Sequence, residues 1–184
     1  MLDQLITIDK LIFYFFNGVI ANSFFDIIMP IITNENIWAL PVILGLIYLL
    51  LKGGRRGQIT IIILIISCGL ADYSSASILK PFFERLRPSH EMLDGIRILM
   101  GKGGKYGFVS SHAANYFGVL TLMWQLLSTK WVKYLLVMLV LLVLYSRMYL
   151  GVHYLSDVSC GALLGYVLAK VVIQFLLLKK VKQT

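Results

Sequence analysis

"YLLVMLVLLVLYSRMYLGVHYLSDVSCGALLGYVLAKVVIQFLLL" occupies residues 134–178. Its two apolar runs belong to segments at about 131–146 and 155–178. At 1.5 Å per residue each crosses, or nearly crosses, the ~30 Å of a bilayer's hydrocarbon. Between them "SRMYLGVHYLSD" (146–157) carries an arginine, a histidine and an aspartate. Outward from this pair the same apolar pattern recurs at about 37–51, 58–79 and 113–128, which makes five expected spans. The composition agrees. Of 184 residues, 59% are hydrophobic and 14% charged, and the mean hydropathy is +0.82, values foreign to an ordinary soluble domain and to a disordered chain. The expected fold is all-α, a polytopic membrane helical bundle forming one domain over residues 1–184, with no repeat, low-complexity segment or linker.

The N-terminal stretch "LIFYFFNGVIANSFFDIIMPII" (11–32) is apolar but broken by Asn17, Gly18, Asn22, Asp26 and Pro30. Two short interfacial helices joined at "NGVIANS" are expected, with Asp26 and the other polar groups facing water; the alternative is a sixth span. Asp3, Asp9 and Lys10 do not make a basic leader, so no cleaved signal peptide is expected. Cys68 and Cys160 read as small buried residues of two different spans, not as a disulfide. Gly161 and Gly165 have the small-xxx-small spacing that lets helix backbones approach closely.

Five alternating spans put "KGGRRG" (52–57), "STKWVK" (128–133) and the tail "KKVKQT" (179–184) on one side. All three are basic and free of acid, so that side is expected to be cytoplasmic. The other side receives loops 80–111 and 147–154. These are basic too, with Lys80, Arg85, Arg87, Arg97, Lys102, Lys105 and Arg147.

Those exterior charges are spaced with some order. In "KPFFERLRP" (80–88), Lys80 and Arg87 stand seven residues apart, so a helical segment bounded by Pro81 and Pro88 would put them on one face to hold an anion. Snorkelling helix-end charges, with Glu84 paired to its neighbours, would explain them equally well in isolation. "GKGGKYGFVSSHAAN" (101–115) joins four glycines, which let backbone amides turn toward a ligand, to Ser110, Ser111 and His112 at a helix start. Such an N-terminus is a ready anion site, although a serine there can equally be an ordinary cap and a histidine an ordinary interfacial residue. Gly151 turns the chain between two spans, and Asp157 follows His153 by one helical turn. There it can accept the Nδ1–H of His153 and leave Nε2 as a directed nitrogen. Convergence decides the matter. Topology alone brings Lys80, Arg87, Ser110, His112, Arg147, His153 and Asp157 to one membrane face, and ionisable groups so placed are functional by default. Three cations describe a phosphate site. They would also repel the divalent ion that His112, His153 and Asp157 could otherwise hold, so no metal and no cofactor are expected.

"KPFFERLRP" fits K-x6-R-P, "SSH" fits the end of P-S-G-H, and "SRMYLGVHYLSD" fits S-R-x5-H-x3-D. Over residues 80–157 the chain therefore resembles the type 2 phosphatidic acid phosphatase (PAP2) family, departing from it at Val109, where the family has Pro, and at Ser111, where it has Gly. The resemblance implies a metal-independent lipid phosphatase working through a phosphohistidine. In it, His153 is the nucleophile, His112 the acid and then the base, and Asp157 the group that orients His153. Lys80, Arg87, Arg147, the Ser110 hydroxyl and backbone N–H groups near Ser111 hold the phosphate. The implied location is a bacterial-type inner membrane, with the site on the exterior face. The substrates it suggests are the 1-phosphate of lipid A, phosphatidylglycerol phosphate, undecaprenyl diphosphate and phosphatidic acid. Arg85, Arg97, Lys102 and Lys105 favour a polyanionic head group, and so the first three. Neither a nucleic acid nor an obligate protein partner is expected. A phosphotransferase, a vanadate-holding relative, or a non-enzymatic lipid-binding or flipping protein would share the basic pocket, but the last has no need of His153 set over Asp157.

Overall fold

Apolar run length and a few capping side chains set the helices in a computed structural model that describes residues 2–91 and 93–181. Helix α1 (Leu2–Tyr14) runs on through a π-helical turn, Phe15–Val19. Helix α2 (Ser23–Thr33) starts where Asn22 Oδ1 accepts the Phe25 N–H at 3.0 Å, and α3 (Glu35–Lys52) is capped by Asn34 in the same way. Helix α4 (Gly54–Tyr73) continues through a π-helical stretch, Ser74–Leu79, into the single turn α5 (Lys80–Phe83). After a long loop come α6 (Ser111–Leu126), α7 (Lys130–Tyr149) and α8 (Leu155–Val181). Lys182–Thr184, the end of the basic tail expected to be cytoplasmic, lie outside the described residues.

Among the described residues four segments are long and apolar enough to cross a membrane, Glu35–Lys52, Gly54–Phe83, Lys130–Tyr149 and Leu155–Phe175, and the bent pair Gln4–Val19 and Ser23–Thr33 makes a fifth if it counts as one span. The run at 113–128 becomes α6, which at 16 residues is shorter than these and packs against α8, α4 and α7. Its apolar side meets a core of Leu120, Val140, Leu144, Met148, Val158 and Ala162. The contact with α8 depends on the two spaced glycines. A Cβ on Gly161 would run into the Ser110 carbonyl oxygen, and one on Gly165 into that of Ala114, so the first turns of α6 lie directly on α8. Backbone cannot give way as a side chain can. Gly165→Ala is therefore expected to cost about 1–3 kcal/mol by overpacking and to lower activity with it, measured as thermal denaturation in detergent alongside turnover.

The N-terminal helices form an elbow. Gln4–Val19 and Ser23–Thr33 are bent by 114°, with the break inside "NGVIANS" as the sequence suggests. Asn17 does not face water, however, whereas Asn22 and Asp26 keep some exposure. Asn17 is buried; its Nδ2 donates to the carbonyls of Arg97 (2.8 Å) and Tyr149 (2.7 Å), and its Oδ1 accepts the Arg97 N–H at 2.8 Å. Asp26 takes Arg97 Nη2 on one oxygen and the Tyr149 hydroxyl on the other, each at 2.5 Å. A buried amide such as Asn17 needs partners, and these contacts together fasten the elbow to the exterior loop and to the end of α7.

A second difference concerns residues 80–88. The helix stops at Phe83, Glu84 takes a left-handed conformation (φ 47°), Leu86 pairs with Tyr106, and Arg87 is extended (φ −71°, ψ 154°). Pro88 accounts for the extended Arg87, since a proline disfavours helix at the residue before it; the helix has already ended four residues earlier, at Phe83. Lys80 and Arg87 thus share no helical face, and Glu84 accepts from the Tyr106 hydroxyl (3.2 Å) instead of pairing with basic neighbours. Cys68 and Cys160 are free thiols and only half-buried.

Candidate active site

Helix direction delivers the site. Lys80 opens the short α5 at the end of the α4 run, Ser111 and His112 begin α6, Arg147 sits in the last turn of α7, and Asp157 lies in the first turn of α8. His153 occupies the α7–α8 turn, which reverses at Gly151 in a left-handed conformation (φ 81°). All the residues expected from the sequence are at this one end of the bundle.

His153 is 1% exposed. Its Nδ1 stands 3.3 Å from Asp157 Oδ2, an oxygen that also accepts the Tyr154 N–H at 3.0 Å and so tethers the carboxylate to the helix start. Burial first, and then the charges of Arg87, Arg147 and Lys80, hold the His153 imidazole well below its ordinary pKa. At neutral pH the ring is uncharged. When Nδ1 donates to the carboxylate, the lone pair falls on Nε2.

Lys80 Nζ donates to Ser111 Oγ at 2.7 Å, and the Ser75 hydroxyl donates to the same oxygen at 2.7 Å. The serine hydroxyl beside Lys80 is thus that of Ser111, whereas Ser110 is buried, accepts the Ala113 N–H as the α6 cap (3.4 Å) and donates its own N–H to the Asp157 carbonyl (3.0 Å). Arg87 Nε donates to the Tyr106 carbonyl at 3.2 Å, and Arg147 Nη1 donates to Thr33 Oγ1 at 2.7 Å. Arg147 Nε is buried and has no partner among the described residues. His112 stacks on Tyr116, with its Nε2 3.1 Å from Glu35 Oε1; burial, and then the charges of Arg147, His153, Arg87 and Lys80, push its pKa down to about 3, so it gains a proton to give only once a bound phosphate dianion offsets those cations. The Phe108–Val109 peptide, at the position where Val109 replaces Pro, is cis.

The exterior cations divide into two kinds. Arg85 is bound by Asp9 (2.6 Å) and Asp157 (2.9 Å), and Arg97 by Asp26 (2.5 Å). Neither is a spare charge for a polyanionic head group, which corrects the sequence reading. Lys80, Arg87 and Arg147 are different. Among the described residues their hydrogen-bond partners are a hydroxyl or a carbonyl, and none of them has a carboxylate within salt-bridge distance. Buried or half-buried cations without counter-charge, beside a neutral, oriented imidazole, can receive a dianion and present it to a nucleophile. Sequence reading missed Asp9, Thr33, Glu35 and Tyr106, because each meets the site only through the fold.

Residues 59–180 match the PAP2 superfamily model, and the chain belongs to that superfamily. Two relatives are both named lipid A 4'-phosphatase. That of Bacteroides thetaiotaomicron is 34% identical over 171 residues, covering 90% of this chain and 75% of the relative. That of Porphyromonas gingivalis is 30% identical over 170 residues, covering 90% and 72%. The fold is that of the crystal structure of Aquifex aeolicus LpxE, with a TM-score of 0.75 at 24% identity, covering 90% of this chain and 94% of that one. It is likewise that of the transmembrane PAP2-type phosphatidylglycerolphosphate phosphatase of Bacillus subtilis, with a TM-score of 0.73 at 23% identity, covering 94% and 86%.

Proposed function

We propose that this protein is a membrane lipid phosphatase that removes phosphate from a lipid head group through a phosphohistidine on His153. The observation that carries this reading is the set of three cations, Lys80, Arg87 and Arg147, that lack carboxylate partners around a neutral His153. A phosphate dianion supplies the missing charge. Its non-bridging oxygens are held by these groups, by the Ser111 hydroxyl and by the first-turn amides of α6, which Ser110 caps. Nε2 of His153 attacks phosphorus in line, the P–O bond to the lipid breaks, and His112 gives its proton to the leaving oxygen. Water then attacks the phosphohistidine, His112 takes a proton from it, and inorganic phosphate departs. Asp157 holds the Nδ1 proton throughout.

A pocket at a bilayer surface suits a substrate with a lipid anchor. Lipid A is the favoured one: it was a candidate on the sequence alone, and the two relatives of 30% and 34% identity carry its name. Those names favour its 4'-phosphate beside the 1-phosphate first considered. The site lies on the exterior face of a bacterial-type inner membrane in this reading, supported by Lys52, Arg55, Arg56, Lys130 and Lys133 at the opposite helix ends. In a cysteine-free background, a cysteine at position 102 should be labelled from outside intact cells and one at 130 should not; the reverse pattern inverts the orientation.

The function is tested with purified protein in detergent containing EDTA, offered lipid A, phosphatidylglycerol phosphate, undecaprenyl diphosphate and phosphatidic acid, with release of inorganic phosphate as the readout. Release from lipid A undiminished by the chelator is expected. Activity that disappears in EDTA and returns only with one divalent ion would remove the proposed mechanism.

A further inference from the structure

Arg85 has no place in the phosphate cradle, yet it makes more polar contacts than any of the three cations that do. Its guanidinium forks. Nη1 donates to Asp157 Oδ1 at 2.9 Å and to the Ser156 hydroxyl, Nη2 donates to Asp9 Oδ2 at 2.6 Å, and Cζ lies 4.4 Å from the centre of the Tyr154 ring. Asp9, from α1, completes the array: its Oδ1 accepts the Ser156 N–H at 3.0 Å, and its Oδ2 accepts the Ser156 hydroxyl. The two Asp157 oxygens are thereby divided, Oδ2 serving His153 and the Tyr154 N–H and Oδ1 serving Arg85.

From this geometry we infer that Arg85, clamped by Asp9 of the N-terminal helix, is a positioning residue that keeps Asp157 ionised and aimed at Nδ1 of His153. Asp157 is fully buried, and a buried carboxylate stays charged only beside a cation. Among the described residues Arg85 is the one cation within hydrogen-bonding distance of it. A flexible guanidinium on its own could turn away toward solvent or toward an incoming phosphate. Asp9 prevents this by fixing the second arm of the fork, and its grip on Ser156 sets the start of α8 at the same time. A planar fork suits two carboxylates on different elements, which a lysine's single ammonium cannot bridge in the same way.

The inference rests on the reading of His153 as nucleophile, and the experiment separates the two. Turnover and phosphohistidine trapping are measured in EDTA on whichever of the four lipids is hydrolysed fastest, for wild type, Arg85→Gln, Arg85→Lys and Asp9→Asn. Arg85→Gln should lower kcat about 10- to 100-fold, the scale on which partners of reacting groups are felt, with KM unchanged because the phosphate cradle is intact. Arg85→Lys should recover part of that loss through its charge. If Arg85→Gln does not fold, Asp9→Asn decides: it keeps an acceptor for the Ser156 N–H and should lower kcat several-fold, again at constant KM. Wild-type kcat in these variants, or a loss carried by KM, overturns the inference. A wild-type enzyme that turns over and traps no phosphohistidine removes the reading of His153, and the inference with it.

Discussion

His153→Ala should form no phosphoenzyme with any substrate, while His112→Ala should form one and accumulate it when the leaving group needs little protonation. In the proposed mechanism the asymmetry follows from placement. His153 is buried, uncharged at neutral pH and backed on Nδ1 by Asp157, so its Nε2 is a nitrogen prepared to bond to phosphorus. His112 lies in the first turn of α6 beside Glu35, partly exposed, where a leaving oxygen and then a water can reach it. Removing His153 removes the bond-forming atom. Removing His112 slows two proton transfers, each worth roughly 10²–10⁴-fold, and an activated aryl or fluorescent phosphate ester bypasses the first of them. Only dephosphorylation is then left without its base. Rapid-quench trapping of labelled, acid-labile phosphate separates the variants. Label on His153→Ala, or none on His112→Ala under conditions that label the wild type, would mean that the roles are exchanged.

Asp157→Asn should be nearly as damaging, with a loss of about 10⁴-fold in kcat, the scale of a wrong histidine tautomer in a serine–histidine–aspartate triad. The surroundings fix how the amide sits. Arg85 is 2.9 Å from Oδ1 and can only donate, so the amide oxygen faces Arg85 and the amide nitrogen is turned to His153. Nδ1 must then accept, the ring proton moves to Nε2, and the attacking lone pair is gone. The same nitrogen opposes the Tyr154 N–H, which at present donates to Oδ2 at 3.0 Å, so a modest loss of stability should accompany the kinetic defect. Lys80, Arg87 and Arg147 are untouched. Inhibition by inorganic phosphate should therefore stay within a few-fold of wild type, and a parallel collapse of that inhibition would place Asp157 in binding instead of orientation.

Residues that act through local spacing were legible in the sequence. Apolar runs located the helices, the four-residue step from His153 to Asp157 put carboxylate against imidazole, and the glycines at 161 and 165 foretold a close helix contact, whose partner, α6, the fold supplies. Less could be read where a residue's partner lies far along the chain. Arg85 and Arg87 are two positions apart in one basic string, yet Arg85 is neutralised by Asp9, 76 residues away, and Asp157, 72 away, while among the described residues the Arg87 side chain bonds the Tyr106 carbonyl and no carboxylate. Nothing local distinguishes them. Arg97 and Asp26 are a similar pair, separated by 71 residues, and without knowledge of that pairing one looked like a head-group contact and the other like a water-facing charge. The condition under which Lys80 and Arg87 would share a face, a helix through both, is opposed by a signal present in the sequence: Pro88 restricts the residue before it, which is Arg87.

The elbow held by Asn17 has a consequence for how this family can be recombined. The PAP2 superfamily match begins at residue 59, yet Asp9, Asn17, Thr33 and Glu35 all lie before it and touch, respectively, Arg85, the backbone of Arg97 and Tyr149, Arg147, and His112. A chimaera grafting residues 59–180 onto the N-terminus of another family member would inherit every motif and still lose four of the attachments that aim them. Such a hybrid should insert and fold as a bundle while its histidines and arginines stand loose. The transferable unit of this enzyme therefore starts at the first helix and not at the first motif.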